Sequence, residues 1–77
     1  MRSINDDHGR AWEALALPIK VAHLRDGARL AFRHEGEQVT SAIDFNSIEA
    51  ANFAIETMSE KELRRRLEWA KTAAGVA

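Results

Sequence analysis

The chain has no cysteine and no tyrosine, and only one proline and four glycines in 77 residues. Without cysteine there is no disulfide, no thiol nucleophile and no thiolate for a metal, a usage that suits a reducing compartment. No apolar run approaches the ~20 residues that span a bilayer. The opening Met1-Arg2-Ser3-Ile4-Asn5-Asp6-Asp7 lacks the apolar segment and cleavage pattern of a signal peptide, so a cytoplasmic location is expected. An excess of one charge is missing too. Eleven Lys and Arg stand against twelve Asp and Glu, a net charge of -1. Nothing therefore draws the whole chain to nucleic acid or an anionic membrane, and any such contact has to be local.

Catalytic and cofactor signatures are equally sparse. The glycines form no phosphate-binding loop, and no Gly-x-Ser-x-Gly elbow occurs. His8, His23 and His34 form no i, i+4 pair or close-spaced ligand set, and His23 reads as a neutral structural histidine. Asp6-Asp7-His8 sits in residues 1–10, which read as a flexible polar lead-in and do not preorganise a metal site. The expectation is a chain that is not an enzyme, with no catalytic residue, cofactor, metal or small-molecule substrate.

What is present is clearest in the last third. Asn46-Ser47-Ile48-Glu49 and Ser59-Glu60-Lys61-Glu62 are successive helix starts, in which a small side chain accepts from first-turn N–H groups. The spacing predicts a first helix over about 47–58, burying Ile48, Ala51, Ile55 and Met58. A second follows over about 60–73, burying Leu63, Leu67, Ala70 and Ala74, with Gly75 at its end.

Residues 19–45 read as a β-meander. Asp26-Gly27 suits a two-residue hairpin turn, which would pair Leu24 with Arg29 and Ala22 with Ala31 and put Ile19, Val21, His23, Ala28, Leu30 and Phe32 on the core face. A second turn centred on Gly36-Glu37 would pair His34 with Val39, Phe32 with Ser41 and Ala28 with Phe45. Residues 11–17 are ambiguous: their Ala and Leu content favours a helix, whereas the shortness of the segment and Pro18, which favours an extended Leu17, lean toward a strand. The predicted fold is α+β, a single domain over 11–77. Three strands, or four if 11–17 join them, form a small antiparallel sheet with two C-terminal helices on one face.

The outward sheet face would then carry Lys20, Ala22, Leu24, Arg29, Ala31, Arg33, Thr40, Ala42 and Asp44, with Ala22, Ala31 and Ala42 side by side. A solvated face normally shows more Thr, Lys and Glu, so this row suggests a cover, either the N-terminal segment with Trp12 or another subunit. Phe53 and Trp69 fall off their helix stripes. Together, Ala22, Leu24, Ala31, Ala42, Phe53 and Trp69 are the candidate protein interface. Lys20, Arg29, Arg33, Arg64, Arg65 and Arg66 are the alternative, a nucleic-acid contact. Glu60, Glu62 and Glu68 lie near the three consecutive arginines and read as their partners on a solvated helix. At this length a core supplies only ~3 to 5 kcal/mol unless packing is good or chains associate. A non-enzymatic interaction or accessory module, pairing with another protein or with itself, is the leading expectation.

Overall fold

The computed structural model describes residues 2–21 and 25–76. Four strands follow one another, β1 Arg2–Asn5, β2 Ala11–Val21, β3 Arg25–His34 and β4 Glu37–Phe45, then two helices, α1 Ile48–Thr57 and α2 Glu60–Ala74. The strands form one antiparallel sheet in the order β1-β2-β3-β4. Helix α1 lies over β2 and β3, and α2 over β4 and β1. The α+β class, the meander and both C-terminal helices are as the sequence predicts.

Ser47 accepts from the N–H of Ala50 at 3.0 Å, and Ser59 from that of Glu62 at 3.1 Å, so both helices start on a serine cap. Gly75 closes α2 at φ 76°, a left-handed position that costs glycine nothing. Ile4, Trp12, Leu30, Phe32 and Val39 from the sheet meet Ile55, Leu63 and Leu67 from the helices in the core, while Ala14 and Ala16 pack beneath. Ala74, expected in the stripe of α2, is exposed, and Lys71 is buried instead.

The two turns depart from expectation. Asp26 and Gly27 are inside β3, opposite Lys20 and Ile19, rather than in a turn, and residues 22–24 are outside the described residues. Trp12, Ala14, Ala16 and Pro18 therefore share the helix-covered face with Leu30, Phe32 and Ala28, and Ile19 moves to the other side. Burying Trp12 at 1% exposure is the physical reason. A full aromatic burial stabilises by roughly 1.5–3 kcal/mol, against a local turn preference far smaller. The pairings expected for Ala22, His23 and Leu24 also lie outside the described residues.

The second turn comes one residue early. Glu35 and Gly36 both take positive φ, 44° and 89°, so His34 pairs with Glu37 and Phe32 with Val39. An irregularity between Arg29 and Ala31 then restores Arg29 opposite Asp44 and Ala28 opposite Phe45. Ser41 Oγ accepts from the N–H of Ile43 at 3.2 Å within it. The offset is two residues, an even number, so Val39 and Phe45 keep the face that the sequence assigned them.

Residues 2–10 are no frayed lead-in. Arg2 pairs with Ala14 and Ile4 with Trp12, and Ile4 is buried. The Arg2 guanidinium donates to the carbonyls of Ile55, at 3.1 Å, and Met58, where the C-terminal end of α1 carries partial negative charge. The Asp6 carboxylate, fully buried, accepts from the backbone N–H groups of His8 and Arg10, the Trp12 indole at 2.9 Å and the Lys71 ammonium at 3.1 Å. Burial alone would raise its pKa. The donors, Trp12 foremost and then Arg10, Lys71 and His8, outweigh burial and hold it well below the usual carboxylate range.

Candidate interaction surface

Paired residues on neighbouring strands share a face, so the ladder gives the composition of the sheet side turned away from the helices. Its rows include Ser3–Glu13–Arg33–Gln38, Leu15–Ala31–Thr40, Leu17–Arg29–Asp44 and Ile19–Gly27. Leu15, Leu17 and Ile19 form an apolar line along β2, each half-buried, and beside them Ala31 and Gly27 are buried. Strand β2 is thus apolar on both faces: small residues and Trp12 under the helices, branched aliphatics on the outside.

β1 pairs with β2 only as far as Ala14. Beyond it β2 is an edge on that side among the described residues, the kind of position where a strand tolerates a proline such as Pro18. The opposite edge, β4, borders an open groove of about 640 Å³ whose lining includes Arg29, Thr40, Ala42, Ile43, Trp69 and Ala73. This groove continues the outer face around the irregularity in β4 to the exposed indole of Trp69.

Of the expected interface residues, Ala31 lies on the outer face, paired with Leu15 and Thr40; the three-alanine row is not formed. Ala42 and Trp69 are brought together by the β4 groove. Phe53, 71% exposed on α1, lines none of the described grooves, and Trp69 is 60% exposed beneath the Arg65 guanidinium, 5.8 Å from its ring centre. Ala22 and Leu24 lie outside the described residues. Leu15, Leu17 and Ile19 were missed on this face. Residues 11–17 do form a strand, as their sequence leans; the alternation of Glu13-Ala14-Leu15-Ala16-Leu17 was the signal that could have placed its two faces.

The cations do not converge. Arg29 and Arg33 are on the outer sheet face, and Arg64, Arg65 and Arg66 on α2. Lys20 pairs with Asp26 at the far end of the β2–β3 hairpin. Arg29 grips Asp44 at 2.7 Å, which raises the pKa of the guanidinium and lowers that of the carboxyl. Arg64 holds Glu60 at 3.0 Å and the Asn5 carbonyl at 3.1 Å, and Arg65 and Arg66 share Glu62 at 3.8 and 3.2 Å. Glu68 faces Lys71 at 3.6 Å rather than Arg64.

Among the described residues, no group of three or more His, Asp or Glu is placed to hold a metal, and no helix is long and apolar enough to cross a membrane. Comparison with protein-family models, curated proteins and solved structures finds no match to the chain.

Proposed function

We propose that the chain is a non-enzymatic protein–protein interaction module that docks through the outer face of its sheet. The observation that carries this reading is the Leu15–Leu17–Ile19 line, with the buried small residues Ala31 and Gly27 beside it, on the side away from the helices. An antiparallel sheet packed on one side ordinarily shows water alternating polar residues on the other. An apolar strip rimmed by Glu13, Arg33, Arg29 and Asp44 has instead the anatomy of an interface, an apolar centre inside a charged margin. Nucleic-acid binding is the weaker reading, because Arg29 and Arg64 to Arg66 are each held by a carboxylate and the two groups sit on different elements.

Site-specific photo-crosslinking in cells producing the chain tests this. A photoreactive residue at Thr40, exposed on the outer face, is expected to give one discrete cross-linked protein, lost when Leu17 is also replaced by Lys. The same probe at Asn46, ahead of α1, gives none. Equal labelling from both positions, or none from Thr40, would overturn the reading.

A further inference from the structure

We infer that the open edge of β4, with the groove between it and α2, takes an extended segment of the partner, acidic and with an apolar anchor, as a fifth strand. The inference rests on the outer face being a docking surface, into which this groove runs, and it names what the partner inserts. Ladder bonds alternate along an antiparallel pair, and in a two-residue hairpin they begin with the residues flanking the turn. His34 and Glu37 flank it here and Phe32 pairs with Val39, so Val39 turns its N–H and C=O toward β3, while Gln38 and Thr40 turn theirs away from the sheet. No strand lies beyond β4 among the described residues.

Natural edges are guarded by proline, charge, a bulge or a cover. The open part of β2 carries Pro18 and Lys20. The run Gln38-Val39-Thr40-Ser41-Ala42-Ile43 has neither a proline nor a charge. Its irregularity falls beyond Thr40, so the ladder bonds of Gln38 and Thr40 stay available, and an added strand passes from them into the groove. Only an extended backbone matches such a row of alternating donors and acceptors.

Side chains set the composition of that strand. The wall of Ala42, Ile43, Ala70 and Ala73 beside the exposed Trp69 indole suits an aliphatic anchor. Among the described residues the lining holds one charged group, Arg29, and no carboxylate. The carboxylates nearby are committed: Asp44 to Arg29 at 2.7 Å, Glu62 to Arg66 at 3.2 Å and Glu68 to Lys71 at 3.6 Å. Arg65, over the Trp69 ring, is left with Glu62 at 3.8 Å and a side chain 56% exposed. A carboxylate of the occupant beside Trp69 supplies the close partner that this guanidinium lacks. Glu37 stands at the other end of the run, so the edge is negative at the hairpin and positive at the groove.

Nuclear magnetic resonance of the isotope-labelled full chain tests this, with a peptide of about seven residues alternating valine and glutamate as the probe. Saturable shifts are expected at residues 38–43 and at the Trp69 indole. Amide exchange at Gln38 and Thr40 should slow roughly tenfold or more, while Val39, already bonded to β3, stays as it was. Thr40→Pro deletes an N–H that bonds nothing within the sheet, and should abolish binding with the circular dichroism unchanged. Arg65→Glu should reverse the preference, from the valine–glutamate peptide to its valine–lysine counterpart.

Leu17→Lys separates this inference from the reading it rests on. It removes the Thr40 cross-link by disabling the outer face, yet should leave the peptide titration as in the wild type. No saturable shift up to roughly 1 mM peptide overturns the inference, and so does equal binding of the glutamate and lysine peptides, or a titration that survives Thr40→Pro. Slow exchange at Gln38 and Thr40 in the free chain that quickens on dilution, the sign of a second copy on this edge, overturns it too. The Thr40 cross-link and its loss with Leu17→Lys stand or fall apart from all of these.

Discussion

Asp6 and Lys71 are 65 positions apart and among the most buried polar groups of the molecule, with Lys71 only 2% exposed. Removing Asp6 leaves the buried Lys71 with only Glu68, at 3.6 Å, to face it, at a cost of about 3 kcal/mol, the low end for breaking a buried pair. That is a large share of the roughly 4–12 kcal/mol expected for a chain of this length. Asp6→Ala also orphans the Trp12 indole, so urea titration is expected to show a destabilisation of that order, and Asp6→Ala with Lys71→Met should be more stable than Asp6→Ala alone. Acid provides an independent measurement. The folded pKa of Asp6 lies below its unfolded value of ~3.9, so the unfolded chain binds the extra proton as the pH falls. This contribution is complete above about pH 4 and lost progressively below it. Denaturation midpoints measured from pH 5 down to pH 2 should fall steeply in the wild type and less so in Asp6→Asn. None of this was legible locally. Asp6 and His8 read as a polar tail because the local donors of His8, Arg10 and Trp12 converge on Asp6 only once Trp12 is buried in the core, and the closing donor, Lys71, comes from the far end of the sequence.

At the scale of elements, the helices were legible because their signals are local: Ser47 and Ser59 cap within three residues, and the Leu63–Leu67–Ala70 stripe repeats at helical spacing. The sheet was legible in class and only in part in register. Asp26-Gly27 carries a turn signal that long-range burial of Trp12 overrides, and that odd-numbered shift in the β2–β3 pairing moved Ile19 to the outer face beside Leu15 and Leu17. The second hairpin erred by an even number and kept its faces. Its turn asks a glutamate to adopt φ 44°, a position that favours Asn or Gly. Glu35→Asn is expected to raise stability by ~0.5–1 kcal/mol, read as a higher denaturant midpoint at unchanged slope. Strand β1 has a counterpart in Arg2, whose guanidinium closes the end of α1. Arg2→Met keeps the aliphatic stem and loses the charged donors, at an expected cost of ~1.5–3 kcal/mol in the same titration.

The whole molecule is two layers, helices on one side of a four-stranded sheet and an apolar line on the other. Part of the candidate surface was visible in advance, since Ala31 is on the outer face and Ala42 and Trp69 line its edge. Its centre was not, because Leu15, Leu17 and Ile19 take that side only once the β2–β3 register is known. If a partner protein covers this face, its capture depends on the apolar line. Photo-crosslinking from Thr40, in cells producing the wild type or the triple variant Leu15→Thr, Leu17→Thr and Ile19→Thr, measures this directly. Threonine suits an exposed strand, so the variant keeps the fold. The account predicts one discrete cross-linked protein from the wild type and none from the variant at equal amounts of chain. A product as strong from the variant as from the wild type would contradict it.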